Sequence, residues 1–125
     1  MAIHTITGAE PLGPKEPLDA LIICPCTGNT LAKMAMGVTD TSVTMAAKAH
    51  LRCDRPLVIV LASNDALSAN LKNIGTLLQK KSVYFVPMRQ DDPQKKPHSL
   101  VADFSLLPQT LEGALTGIQI RPIFI

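Results

Sequence analysis

The stretch Pro25-Cys26-Thr27-Gly28-Asn29-Thr30 carries the densest supply of ligand-binding groups in this chain of 125 residues. Thr27, Asn29 and Thr30 bring hydroxyl and amide groups that both donate and accept hydrogen bonds. Gly28 permits close backbone approach, and a helix beginning here would add its unpaired amides. Together these groups make a nest for a polar or anionic ligand. An ordinary strand-to-helix turn, with Asn29 or Thr30 as its cap, accounts for the same residues.

A second polar loop, Ala62-Ser63-Asn64-Asp65, also follows an apolar run directly. A third, residues 88–99 (MRQDDPQKKPHS), is polar, contains two prolines and reads as a long exposed loop of the kind that borders sites. Arg89 offers a bidentate fork to a carboxylate, with Lys95 and Lys96 beside it. Asp91 and Asp92 weaken that field, and a solvated loop is the plainer reading. His98 adjoins this loop and titrates near neutrality, so it is a candidate to line the site. His4 falls in an irregular lead, and His50 is expected at a helix end, facing the dipole. Cys24, Cys26 and Cys53 have neither C-x-x-C nor zinc-cluster spacing, so reduced thiols and no metal are expected. Met34, Met36 and Met45 read as packing residues.

Three short apolar runs must position these loops: Leu18–Cys24, ended by Pro25; Leu57–Leu61; and Val83–Val86, ended by Pro87. Each suits a strand buried on both faces. Between the first two, helices are expected from Thr30 to about Gly37 and, capped by Asp40 or Thr41, to about Leu51. Leu67, Leu71, Ile74 and Leu78 mark one face of a further helix capped by Asn64 or Asp65. Ser99 could cap a helical turn over Leu100–Phe104, and Pro108 opens a last helix ending near Gly117. Strands alternating with helices imply right-handed crossovers, a parallel sheet and ligands beyond the strands' carboxyl ends. The expected organisation is an irregular lead-in over 1–17, an α/β domain over 18–117 and an apolar tail over 118–125.

Composition limits the function classes. Hydrophobic residues make up 46% of the chain, enough for a core, and aromatics only 3%, so aliphatic side chains must build it. The net charge of +2 comes from scattered basic residues and gives no footprint for nucleic acid. Apolar runs are far shorter than the roughly 20 residues of a membrane helix, and the amino terminus has no leader pattern, so a cytoplasmic location is expected.

The loop and the helix after it, PCTGNTLAKMAMGVTDTSVT, resemble the P-A-S-A-N-T motif of the flavoprotein family that includes FMN-dependent cysteine decarboxylases. Pro25, Asn29 and Thr30 match, Thr27 replaces serine, and Cys26 and Gly28 replace alanines. Ala32, Lys33, Gly37 and Asp40 also sit where the family has the same residues. In the family's P-x-M-N-x-x-M-W segment only Asn64 matches, which argues against a cysteinyl substrate. A closer resemblance, through AEPLGPK, LIICPCTGNTLAKMAMGVTDTSVTMAAKAHLR, ASNDALSANLKNIG, YFVPMRQDDPQKKP and HSLVADF, is to the B subunits of dipicolinate synthases.

The resemblance implies a three-layer, Rossmann-like or flavodoxin-like α/β fold with helices on both faces of the sheet. It also implies FMN as cofactor, held by Pro25, Thr27, Gly28, Asn29 and Thr30, with Asn64, Arg89 and His98 toward a small dicarboxylate. The implied partner is the A subunit of dipicolinate synthase, in oxidising a dihydrodipicolinate-type precursor in the mother cell of a sporulating bacterium, and a homo-oligomer is implied too. The family's N-terminal strand with its Gly/Ser phosphate loop, and the decarboxylases' histidine, find no counterpart in residues 1–17. The expected domain is therefore the C-terminal part of such a fold, lacking the N-terminal strands. A non-catalytic assembly subunit without cofactor and an FMN-dependent decarboxylase are the alternative readings.

Overall fold

A computed structural model describes residues 3–6 by their backbone course and residues 19–125 in full. Its sheet is organised on β3 (Leu57–Ser63), whose residues Leu57 to Leu61 are all buried. Successive side chains of a strand point to opposite faces, so burial of five in a row means that both faces are covered. That is why the run is continuously apolar instead of alternating.

On one side β2 (Ala20–Cys26) lies parallel to β3, with Leu21 opposite Leu57 and Ile23 opposite Ile59. Two helices, α1 (Gly28–Met36) and α2 (Ser42–Arg52), form the crossover between them. Beyond β3, α3 (Leu71–Leu78) leads to β4 (Val83–Phe85), which runs parallel to the amino-terminal half of β3. α1 packs against both α2 and α3. Sequence chemistry sets the ends of the first two helices. Gly37, at φ 78°, closes α1, and Thr41 and Thr44 exchange side-chain and backbone hydrogen bonds in a capping box that starts α2.

Five expectations need correction. Pro25 does not end its strand, because β2 continues to Cys26 through a register shift between Ile23 and Cys26. The helix expected from Asn64 begins only at Leu71, since residues 64–70 turn instead. There the Asp65 carbonyl accepts from both Ser68 N and Asn70 N, at 3.1 and 3.0 Å. The sheet is mixed, not parallel throughout: β6 (Leu100–Ala102) runs antiparallel to the end of β3, pairing Ser63 with Leu100. Outside β6 lies β5 (Met88–Arg89), also antiparallel, so the polar loop starts one strand later than expected and Leu100–Ala102 is not a helical turn. Strands of two and three residues are too short to display a period.

The fifth correction concerns the lead-in: Ile3–Ile6 form β1, parallel to β2 with Ile3 opposite Ala20. Its short alternation is a strand signal that the surrounding prolines and glycines obscure. The remaining expectations for residues 1–17 fall outside the described residues.

After a 3-10 turn at Phe104–Leu106, α4 (Leu107–Leu115) carries Pro108 in its first turn and packs on β3 and β4. The tail then returns to the sheet. Gln119 accepts from Phe85 N and donates to Phe85 O, both at 2.7 Å, so one side-chain amide satisfies both backbone groups on the free edge of β4. Further along, Phe124 bridges to Met88 on the outer edge of β5.

Candidate functional site

The loops after β2 and β3 meet at the carboxyl ends of these adjacent strands, the usual ligand position in α/β sheets. Thr27 is the cap of α1: its Oγ1 accepts from Thr30 N at 3.2 Å and donates to Thr30 Oγ1 at 3.2 Å. Its carbonyl accepts from Leu31 N at 2.9 Å. Neither Asn29 nor Thr30 caps the helix, and the amides of Gly28 and Asn29, in its first turn, precede any intrahelical partner. The Asn29 side chain is exposed and makes no hydrogen bond among the described residues, and Pro25 is exposed as well. Cys26, between them, is fully buried. Burial pushes its thiol up to about 12, and the side chain belongs to the packed core.

Gly28 is where the loops touch. A Cβ at this position would fall 2.6 Å from Ser63 Oγ, 2.8 Å from Asn70 Nδ2 and 3.0 Å from Asp65 Oδ1. These atoms are tied together. Asp65 Oδ1 accepts from Ser63 Oγ at 2.7 Å and from Asn70 Nδ2 at 2.9 Å, and Asn73 Nδ2 donates to Asn70 Oδ1 at 2.8 Å. Ser63, Asn70 and Asn73 are buried while the Asp65 carboxylate reaches the surface. Hydrogen bonds from Ser63 and then Asn70 hold its carboxyl below the usual carboxylate range. The sequence pattern pointed to Asn64 and not to this network. The run S-N-D-x-x-x-x-N-x-x-N was its signal, since polar residues at helical spacing that are also buried must find partners.

The structure places Asn64 beside this contact, exposed and without a hydrogen bond from its side chain among the described residues. His98 comes close through its backbone, its carbonyl accepting from Leu67 N at 2.9 Å. That bond ties the 90–99 loop to the turn after β3. Inside the loop, Gln90 Nε2 donates to Pro97 O, Lys95 N to Asp92 Oδ1 and Lys96 N to Asp92 O, so its polar residues build a folded wall.

Arg89 lies further off. Its partner across β5–β6 is Val101, and Val101 faces Ala62 of β3, which puts Arg89 two strand spacings, roughly 10 Å, from β3. Its guanidinium is committed to Asp103, whose other oxygen accepts from Ser105 N and Oγ. Lys96 lies 3.8 Å from Asp91.

His50 lies in the last turn of α2, as expected, with its ring turned inward. It is buried, and its Nε2–H donates to the Pro56 carbonyl at 2.8 Å. Burial lowers its pKa, and the bond pins α2 to the turn before β3. No group of His, Cys, Asp or Glu among the described residues is arranged to hold a metal, and the three cysteines are free thiols. No helix of the described residues is long and apolar enough to cross a membrane. A cleft of about 220 Å³ lies at the other end of β3, between Met34, Val38, Ala47, Leu51 and Leu77, and shares no residue with the site.

Comparison with known proteins gives the family. The family described as Flavoprotein matches residues 4–104. The dipicolinate synthase B subunit of Bacillus subtilis (strain 168) is 51% identical over 124 residues, 99% of this chain and 62% of that protein. The chain thus spans less than two thirds of that relative. The crystal structure of the dipicolinate synthase B subunit from Bacillus halodurans C superposes with a TM-score of 0.87 at 50% identity, covering 94% of this chain and 60% of that one. An FMN-dependent cysteine decarboxylase, SpaF, superposes with a TM-score of 0.57 at 26% identity, over 79% of this chain and 51% of that one.

Proposed function

Because the chain belongs to the Flavoprotein family, we propose that it holds FMN at the carboxyl ends of β2 and β3 and serves as the flavoprotein-type subunit of a dipicolinate synthase. In this reading it acts with the synthase's A subunit in the two-electron oxidation of a dihydrodipicolinate-type precursor to dipicolinate, in the cytoplasm of a sporulating mother cell. The observation that carries it is the 51% identity to a dipicolinate synthase B subunit over 99% of the chain, which includes both loops of the site. A homo-oligomer belongs to the same reading.

The donor set fits a flavin in kind. Asn29 and Asn64 flank the Gly28–Ser63 contact with exposed amides, each a donor and an acceptor at once, as a ring edge of alternating N–H and C=O groups requires. Thr30 and the first amides of α1 add donors, and Pro25 adds an apolar surface. A flavin bound there supplies the two-electron acceptor; the protein's part is to orient ring and substrate. Asn64 and His98, on two loops joined by the Leu67–His98 bond, would bound the substrate side. Arg89 would take part only by exchanging Asp103 for a substrate carboxylate.

Reconstitution tests the proposal. The chain and the A subunit of a dipicolinate synthase, with FMN in molar excess over the precursor as the two-electron acceptor, should together convert a dihydrodipicolinate precursor to dipicolinate, followed by its ultraviolet absorbance, and omission of the chain should abolish the conversion. Equal rates without the chain would refute the subunit role. Equal rates without flavin would refute the cofactor and leave a non-catalytic assembly role.

A further inference from the structure

The first turn of α1 would ordinarily attract an anion, because its unpaired amides and the helix dipole concentrate positive charge there. In this protein a carboxylate is already beside it. Asp65 Oδ1 would lie 3.0 Å from a Cβ on Gly28, which puts that oxygen in van der Waals reach of the first residue of α1. Ser63 and Asn70, both buried, hold the oxygen in place from below with hydrogen bonds of 2.7 and 2.9 Å. Asn73 orients Asn70 in turn. The glycine is what lets the carboxylate in, since any side chain there would displace it.

We propose that Asp65 is a specificity-determining residue of the site: it neutralises the α1 N-terminus, so that this wall excludes phosphate and carboxylate groups and takes a hydrogen-bond donor from the ligand. A carboxylate has about four acceptor positions; Ser63 and Asn70 occupy two, both on Oδ1, and the residue's own backbone N–H bears on the group as well. The remainder suit an N–H on a ring edge or a sugar-like hydroxyl. The carboxylate carries a full negative charge, whereas the helix terminus presents only about half a positive one. Repulsion therefore decides the sign for an incoming anion. Anionic parts of any ligand must be bound elsewhere.

The inference deepens the flavin reading, but its first test does not depend on flavin. Inorganic phosphate is titrated into the ¹⁵N-labelled chain while the amide resonances of Gly28 and Asn29 are followed. In the wild type they should stay in place through tens of millimolar phosphate at constant ionic strength. In Asp65→Asn they should shift and saturate, and in Asp65→Glu, which keeps the charge, they should again stay in place. Should the Asn variant lose its fold, Asp65→Ser takes its place. Saturable shifts in the wild type, or none in the neutral variants, overturn the proposal.

The second test compares FMN with riboflavin. Asp65→Asn should weaken both by a similar factor, about tenfold, because the loss is at the ring or the ribityl chain. A loss confined to FMN would place the phosphate at Asp65 and overturn the proposal. If neither flavin binds the wild type, the flavin reading fails while the phosphate titration still decides the role of Asp65.

Discussion

Gly28 lies so close to Ser63 that a methyl group on the glycine would sit 2.6 Å from the serine hydroxyl. The flavoprotein motif that this loop resembles has alanine in place of Gly28. The methyl's space is taken here by Ser63 and Asn70, and Ser63 is itself a departure from the second motif. In this chain the two positions are in contact, with the Asp65 carboxylate hydrogen-bonded beside them.

Gly28→Ala should destabilise the chain by about 1–2 kcal/mol, lowering Tm by several degrees. Alanine gains up to about 1 kcal/mol over glycine in helix propensity. Contacts of 2.6 and 2.8 Å with side chains locked in a network outweigh that gain. Ser63→Ala in the same chain should recover part of the loss, and a double-mutant cycle by thermal unfolding measures the coupling. Strictly additive losses would contradict the contact.

Gln119→Leu should cost about 2–3 kcal/mol, because it leaves both the N–H and the C=O of the buried Phe85 without partners. Gln119→Glu should cost a comparable amount, since a carboxylate can accept from Phe85 N but cannot donate to Phe85 O. Chemical denaturation of the three proteins checks this. A neutral effect would mean that water replaces the amide.

Acidification should weaken the fold through His50 before the carboxylates respond. Its folded pKa lies below the ordinary histidine value of 6.5 because the ring is buried. The unfolded chain therefore binds a proton first as pH falls, and stability declines from about pH 6.5 downward. The groups held low, Asp65, Asp91 and Asp103, lose their contribution only as pH falls below the ordinary 3.8 of an aspartate. In His50→Gln, which can still donate to Pro56 O, the decline between about pH 6.5 and 5 should be smaller than in the wild type. An unchanged slope would assign it to other groups.

Thiol titration should find one fast cysteine. Cys53 is exposed, Cys24 is partly buried with its pKa raised by burial, and Cys26 is enclosed. Reaction with an aromatic disulfide should consume Cys53 first, Cys24 more slowly and Cys26 only on unfolding. Rapid loss of all three would contradict the packing around Cys26.

The strands and helices that place the site were legible because their signals are local. The runs at Leu21–Ile23 and Leu57–Leu61, the Gly37 stop and the Thr41 cap are each written within a few residues. The 64–70 turn was not. Leu67 keeps helical spacing with Leu71, but Asn70 gives its side chain to Asp65 instead of capping, a choice fixed by contact with α1. β5 and β6 were hidden because two- and three-residue strands are defined by their partners. Asn29 and Asn64 enter as candidates through motif resemblance. The Asp65 contact was not legible, since it depends on the glycine opposite it.

Whether this chain is a flavin-binding protein is decided by equilibrium titration of FMN into the purified chain, read by flavin absorbance and by fluorescence. Saturable binding with a perturbed flavin spectrum and a raised Tm is expected, with at least tenfold weaker binding in Asn29→Ala. An unperturbed spectrum and an unchanged Tm in excess FMN would show that these loops hold no flavin.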